Sequence, residues 1–371
     1  MSSYKDKKIK IALVGDSLGG GGAEKVHALL SIYFQKHGFE VHNCIFVDNV
    51  FYEYDGNLVN LGKIKPTSSS LFRKKARFSK FYSFIKQNNF DAVIDFRMRP
   101  TFLQEFIFSR FVYPKNAIYS VRSAILKFYF PQNKWLSSLI YSNKSIVTVS
   151  KLVEKVVVEN NKNFSVKTIY NPIDFRTIEK FENASIIESN FILFVGSMYE
   201  SNIKQIDQLI IAYSKSVLPS KNMKLILLGD GENRVQYQQL AEELGIAHLV
   251  IFKGVVQTPF SYYKNAIFTI LSSKNEGFPN VLIESLACET PVVSFDCFSG
   301  PSEIIINHQN GILVENQNFE KLTEAMNLMV TDTVLYLNCK QNAAKSVEHF
   351  SVEEIGQQWI DYLKIKQKKT I

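Results

Sequence analysis

Cysteine is scarce, with 4 residues in 371. Cys44, Cys288, Cys297 and Cys339 stand far apart, with no C-x-x-C pair and no histidine at zinc-binding spacing. This excludes a disulfide framework and a structural zinc site; reduced, structural thiols are expected, as in a cytoplasm. Long hydrophobic runs are missing too. No window reaches the roughly 18 uninterrupted apolar residues of a bilayer-spanning helix, and the first apolar run, Ile9 to Val14, stops at Gly15 and Asp16. Neither a transmembrane span nor a signal peptide is expected. Two nucleotide fingerprints are also absent, although glycine is plentiful near the N-terminus. No frame through Gly19 to Gly22 gives G-x-G-x-x-G, because the third position falls on Glu24 or Lys25, and no Gly-Lys-Ser/Thr makes a Walker loop. Nor is there an Asp-x-Asp pair to carry a metal-bound diphosphate.

What is present describes a folded chain with ample core. Hydrophobic residues make up 46% and charged residues 21%, with 29 Phe and 17 Tyr, a balance that excludes a disordered chain. A length of 371 residues exceeds one ordinary core and suits two domains of roughly 150 to 200 residues. The net charge of +8 is unevenly placed: residues 1–174 carry 26 Lys and Arg against 13 Asp and Glu, and residues 175–371 carry 17 against 22. The basic first half suits an anionic partner.

Ile9 to Val14 reads as a first strand, Asp16 to Gly22 as a glycine loop, and Ala23 onward as a helix with Val26, Leu29, Leu30 and Tyr33 at core spacing. That order opens a nucleotide-type α/β domain, though the glycines alone are equally a bare turn that lets helix pack on strand. Glu40 to Val47 reads as the next strand. From Lys63 to Lys86, Arg73, Lys74, Lys75, Arg77, Lys80 and Lys86 interleave with Phe72, Phe78, Phe81, Tyr82 and Phe84. Such a helix is either an amphipathic membrane-surface segment or a domain helix with a solvated basic face. Strands over Asp91–Phe96 and Ala117–Val121 end in Arg97, Arg99 and Arg122. Open α/β sheets place ligands at such ends, so these arginines are candidates for an acceptor or a phosphate, with buried salt bridging as the alternative for Arg122. After a polar stretch near 175–188 the pattern restarts, with strands at Phe191–Gly196, Lys224–Leu228 and Val250–Gly254 and helices between them.

The most informative stretch is Asn275 to Pro291, NEGFPNVLIESLACETP, which follows the apolar run Ala266 to Leu271. Gly277 permits a close backbone approach, Pro279 suits a helix start, and Val281 to Cys288 can bury one face, so a helix is expected from Pro279 or Asn280. Its first N–H groups and its dipole make the backbone of Gly277, Phe278, Pro279, Asn280, Val281 and Leu282 a seat for a diphosphate. Glu276 stands at the lip of that seat. Glu284 lies ~6 Å further along the helix at ~1.5 Å of rise per residue, within reach of a ribose hydroxyl. The plainer alternative is a solvated loop glutamate and a surface helix glutamate.

The run EGFPNVLIESLACETPVVSFD, followed by SGPSEII from Ser299, resembles the donor-binding signature of the retaining glycosyltransferases of family 4. It departs at Glu289, where that family has Gly just past the helix. The resemblance implies the α/β GT-B fold, in which two Rossmann-like domains face a cleft and a C-terminal helix crosses back to the first domain. The expected parts are an acceptor-binding domain over 1–178, a nucleotide-sugar domain over 179–349, and a crossover helix with a basic tail over 350–371. Gly21 and Gly22 match a GGAE loop that reaches toward donor diphosphate and acceptor. Ser197 stands where the family has Arg, Lys204 supplies the cation on the diphosphate, and Arg122 occupies the place of a polar residue facing acceptor or leaving phosphate. Glu276 and Arg122 are thus the implied catalytic residues, and Arg97 and Arg99 face the acceptor. The implied reaction is retaining hexosyl transfer without metal or cofactor, from a nucleoside diphosphate sugar, UDP-sugar favoured. The acceptor is a glycan or a lipid-linked oligosaccharide at the inner face of the cytoplasmic membrane, as in lipopolysaccharide, capsule or glycan assembly; nucleic acid is not an expected partner. A GT-B sugar nucleotide epimerase and a non-catalytic nucleotide-sugar- or glycan-binding subunit are the other classes compatible with these residues.

Overall fold

The structure, a computed structural model, describes residues 8–64, 70–181 and 188–368. The chain divides into two compact units, Met1–Pro172 with Val352–Ile371, and Ile173–Ser351; the sequence pattern sets the divisions at 178/179 and 349/350. Part of the polar junction, 182–187, and Lys369 in the basic tail lie outside the described residues.

The first unit contains β1 (Lys10–Gly15), β2 (Glu40–Ile45), β3 (Asn57–Asn60), β4 (Ala92–Asp95), β5 (Ile118–Val121), β6 (Ser145–Thr148) and β7 (Ser165–Thr168). They form one parallel sheet in the order β3-β2-β1-β4-β5-β6-β7, with Ile11 opposite both Val41 and Ala92. β4, β5 and β6 are buried from end to end. Strands covered on both faces read as unbroken apolar runs, which makes them legible. The C-terminal helix Val352–Lys368 packs on the helix Gly22–Lys36, both in this unit. A Cβ at Gly356 would come within 2.3 Å of the Tyr33 ring, Tyr33 Oη donates to the Glu353 carbonyl at 3.3 Å, and Trp359 is buried near Phe96. The chain's end thus returns to the first unit, as the resemblance implies.

Two features differ from expectation. The run Thr168–Asp174, which resembles the family's last strand of the first domain together with the entry to its hinge, contributes only Thr168 to β7, although Ile169 N still donates to Thr148 O at 3.0 Å. Pro172 offers no N–H to a ladder, and Asp174 instead caps the helix Phe175–Lys180, accepting from Arg176 N at 3.1 Å. β3 goes unread because Asn57-Leu58-Val59-Asn60 is a short edge strand with half-exposed side chains. The basic helix Ser70–Asn88 turns Phe81, Phe84 and Ile85 into the core and leaves Phe72, Phe78 and Tyr82 outside. Its apolar face is therefore that of a domain helix.

The second unit contains β8 (Phe191–Val195), β9 (Lys224–Leu228), β10 (Val250–Gly254), β11 (Thr269–Leu271), β12 (Val292–Phe295) and β13 (Gly311–Val314), in the order β10-β9-β8-β11-β12-β13, all parallel. Each sheet has a point where strand order reverses, between β1 and β4 in one and between β8 and β11 in the other. The carboxyl ends of such a pair are where doubly wound sheets leave a ligand crevice.

Candidate active site

In the second unit the loops after β8 and β11 converge at that reversal. Lys204 ends the first loop and Glu276 lies in the second. Ile203 O accepts from Lys274 N at 2.8 Å, and Lys204 O accepts from Ser272 Oγ at 2.7 Å, so hydrogen bonds to backbone carbonyls zip the two loops together. Gln205 holds a left-handed φ of 52° just before the helix Ile206–Lys215, turning the chain after Lys204. The result is an ion pair, Lys204 Nζ to Glu276 Oε1 at 2.5 Å, with both side chains mostly covered. Ser197 is half-buried in the same β8 loop.

The helix after Glu276 spans Asn280–Ala287, with Pro279 at its cap. The loop before it is clamped from the far side: Ser299 Oγ donates to Gly277 O at 2.8 Å, and Gly300, at φ +99°, lies so close that a Cβ would fall 2.4 Å from Pro279 Cδ. Phe278 is buried with its ring 5.2 Å from that of Phe350. These contacts hold the loop in place. Leu282 is a correction to the expected phosphate seat, because its N–H donates to Pro279 O at 3.1 Å within the first turn and its side chain is fully buried. Glu284 is no surface glutamate. It is 6% exposed, and its Oε2 accepts from Tyr263 Oη at 3.1 Å.

The first unit holds the remaining candidates. Gly21 caps the helix Gly22–Lys36 with extended backbone, and a Cβ there would lie 2.5 Å from Glu24 Oε2. Burial raises the pKa of Glu24 and of Asp16, whose carboxylate accepts from Met98 N at 3.1 Å. Arg122 donates to Asn171 Oδ1 at 2.7 Å and lies 5.7 Å from the Phe96 ring centre. Burial lowers its pKa to about 10, and its Nε has no partner. Among the described residues no carboxylate lies within salt-bridge distance of Arg122, and the partner that holds it is the Asn171 amide oxygen. Arg97 and Arg99 do not face an acceptor. Arg97 points inward and donates to Asp95 at 2.7 and 3.0 Å and to Glu105 at 3.3 Å, while Tyr113 Oη donates to Asp95 at 2.9 Å. Burial opposes that charge, but Asp95 and Glu105 outweigh it and hold the guanidinium protonated. Arg99 lies among the rings of Tyr119, Tyr129 and Tyr141 and donates to the carbonyls of Arg97 and Ser120. Both arginines are internal struts: Arg97 and Arg99 are almost fully buried, and the terminal guanidinium nitrogens of Arg99 donate to backbone carbonyls while its Nε has no partner.

The model of the family "Glycosyl transferases group 1" matches residues 175–346. The N-acetylgalactosamine-N,N'-diacetylbacillosaminyl-diphospho-undecaprenol 4-alpha-N-acetylgalactosaminyltransferase of Campylobacter jejuni is 30% identical over 372 residues, covering 95% of this chain and 99% of that protein. The chain belongs to the group 1 glycosyltransferases. The amylovoran biosynthesis glycosyltransferase AmsD of Erwinia amylovora is 26% identical over 96% of this chain and 99% of its own length. HepE of Anabaena, crystallised with UDP and glucose, shares the fold at a TM-score of 0.78 and 17% identity, over 96% of this chain and 99% of that one. The fold is GT-B, and the chain is a glycosyltransferase of glycan biosynthesis.

Within this glycosyltransferase, sequence reasoning missed Tyr263, which holds Glu284 from the six-residue helix Phe260–Asn265. Tyr262 stands next to it, and so short a helix has too little periodicity to say which ring turns inward. It also missed His27, fully buried, with Nε2 3.0 Å from Asn43 Oδ1 and its pKa pushed down to about 4 by burial. Among the described residues, no three His, Cys, Asp or Glu side chains converge as metal ligands, and no helix is long and apolar enough to cross a membrane.

Proposed function

We propose that this glycosyltransferase is a retaining enzyme of family 4 that takes its sugar from a nucleoside diphosphate sugar, UDP-sugar favoured, without a metal ion. The observation that carries this reading is the Lys204–Glu276 pair at the strand reversal of the second unit. Beside it lie the clamped loop Gly277–Pro279 and, one turn into the helix, the buried Glu284. Lys204, Ser197 and the backbone of Gly277 to Val281 with the helix dipole hold the diphosphate and stabilise it as it leaves. Glu276, kept in place by Lys204, receives sugar hydroxyls and orients the ring for attack from the face the phosphate leaves. Glu284 accepts from the ribose. The departing phosphate takes the acceptor proton.

The acceptor is a glycan or a lipid-linked glycan met by the first unit, at the inner face of a cytoplasmic membrane. Support comes from the Campylobacter relative, whose name places its acceptor on diphospho-undecaprenol, and from the basic excess of the first half of the chain. Arg122, at the carboxyl end of β5 with no partner on its Nε, is suited to an anionic group of the acceptor.

The test is thermal stabilisation by a panel of nucleoside diphosphates and their sugars in EDTA. A ligand at a hundredfold excess over its Kd stabilises by ~2.7 kcal/mol, a shift of several degrees. One nucleotide family is expected to give that shift with wild type and to lose it with Lys204→Ala and with Glu284→Ala. A shift that survives both substitutions, or that requires a divalent cation, rules the assignment out.

A further inference from the structure

The first unit carries a second apolar surface, separate from the helix Ser70–Asn88. The helix Phe102–Ile107 runs on into a single π-turn, Phe108–Val112, and packs beside the helix Lys134–Tyr141. Three large side chains on these elements point outward: Leu103 is 65% exposed, Phe111 60% and Trp135 69%. Arg110 Nη2 donates to Leu139 O at 2.5 Å, and Leu139 lies one turn beyond Trp135. That bond ties the π-turn to the helix bearing Trp135. The π-turn, whose extra residue re-aims the side chains after it, presents Phe111 with its ring 6.5 Å from that of Phe106.

The rim of this surface is basic. Lys134 adjoins Trp135 and Arg110 adjoins Phe111. Lys144 reaches Ser109 O at 3.4 Å, and its pKa is lowered by burial and then by Arg110 and Lys115, so those charges stand close together. The elements forming the face, Phe102–Val112 and Lys134–Tyr141, hold one acidic residue, Glu105, and it is buried against Arg97. Outward aromatic and aliphatic side chains set in uncompensated positive charge are what an anionic bilayer surface selects: the rings enter the headgroup layer and the cations stay at the phosphates.

We infer that the face bearing Leu103, Phe111 and Trp135 is the surface by which this enzyme docks on an anionic lipid bilayer. The inference rests on the membrane-side acceptor proposed above and assigns the contact to residues outside the helix Ser70–Asn88.

The chain supplies its own reporter. It has 2 tryptophans, and Trp359 is already buried, so a change of environment on docking is read from Trp135. The full chain is mixed at low salt with vesicles of phosphatidylcholine containing phosphatidylglycerol, and with phosphatidylcholine alone. The expected result is flotation with the anionic vesicles, a shift of tryptophan emission to shorter wavelength, and quenching by brominated lipid. The triple variant Leu103→Ser, Phe111→Ser, Trp135→Ser is expected to float about tenfold less, since affinity follows buried apolar area. Its far-UV dichroism and its response to nucleotide are expected to be unchanged, because all three side chains are exposed. If wild type ignores anionic vesicles altogether, the membrane reading falls and this assignment with it. If wild type floats but Trp135 emission does not move and the triple variant floats equally well, the membrane reading stands and the face is wrong. A concentration-dependent emission shift without vesicles assigns the face to a second copy of the chain and overturns the proposal.

Discussion

Arg97 shows what a charge requires before it can enter a domain interior. Its guanidinium is met by Asp95, by Glu105 and by the Tyr113 hydroxyl, so the transfer out of water is compensated by short charged hydrogen bonds. Tyr263 plays the corresponding part for Glu284: it donates to one carboxylate oxygen at 3.1 Å from a fully buried ring, which fixes the direction in which the carboxylate faces. If Glu284 receives the ribose, Tyr263→Phe should act through that orientation. Wild type is expected to bind UDP more tightly than 2'-deoxy-UDP, and Tyr263→Phe to narrow that preference about tenfold, the worth of one hydrogen bond to a charged group. Calorimetry with the two nucleotides checks this. Equal binding of both by wild type removes the ribose role of Glu284; an unchanged preference in the variant removes only the role of Tyr263. His27 makes a second prediction. Its folded pKa of about 4 lies below the ordinary value of 6.5, so the fold favours the neutral ring, and that contribution is complete above pH 6.5 and is lost as pH falls toward 4. A pKa lowered by one is worth ~1.4 kcal/mol, so up to ~3 kcal/mol is at stake. The raised pKa values of Asp16, Glu24 and Glu105 act the opposite way, since their protonation relieves the fold as pH falls. The His27 contribution is therefore isolated by comparing wild type with His27→Gln, which share those carboxylates, between pH 6.5 and about 4. Melting temperatures should fall across that window for wild type and stay flatter for His27→Gln; parallel curves would reject the argument.

At the scale of elements, the helix Asn280–Ala287 illustrates how much was legible. The order Gly277, Pro279, Asn280 and then an apolar run located its start to within a residue, because each of these residues has few alternatives there. Its end posed a choice, and the structure resolves it: Glu289 takes φ +61°, with Glu289 N donating to Leu286 O at 2.9 Å and Thr290 N to Ser285 O at 3.0 Å. These two bonds close a Schellman cap with a side chain where glycine is the ordinary choice. Glu289→Gly is accordingly expected to stabilise the second unit by ~1 kcal/mol, the cost of holding a non-glycine residue left-handed. Denaturant unfolding with an unchanged m-value would register it, and a destabilised variant would mean that the Glu289 side chain contributes something the backbone argument omits. The inward turn of Arg97 and Arg99 was not legible for a physical reason. A strand pattern says which end of the sheet a residue occupies, but the direction of a side chain beyond the last ladder residue depends on partners from other elements, here Glu105 and Tyr113 from the next helix and turn. Within Thr168–Asp174, read by resemblance as strand and hinge entry, the point where the strand stops was not legible either, since the sequence does not show that Asp174 is needed as a helix cap.

At the scale of the whole molecule, charge divides more sharply than the sequence order indicates. Cutting the chain at 174 leaves out the return of Val352–Ile371 to the first unit, and with that segment included the first unit carries 30 Lys and Arg against 15 Asp and Glu and the second 13 against 20. The net charges are then +15 and −7. The returning helix was recognisable from the spacing of Ile355, Trp359, Ile360, Tyr362 and Leu363, but where it docks depends on Gly356 fitting against Tyr33, a complementarity no periodicity encodes. An excess of this size acts over distances set by the ionic atmosphere, about 10 Å at 0.1 M salt and 3 Å at 1 M. Apolar insertion is not weakened by salt and gains from salts excluded from protein surfaces. The binding to anionic vesicles expected of the first unit should therefore have two parts. Flotation should fall steeply between about 0.05 and 1 M sodium chloride, in keeping with ~1 kcal/mol per basic residue near the surface, and a residual fraction that depends on Leu103, Phe111 and Trp135 should persist. A titration that declines to zero with wild type and triple variant alike would mean that charge alone recruits the enzyme. A titration insensitive to salt would mean that the +15 unit does not meet the lipid at all.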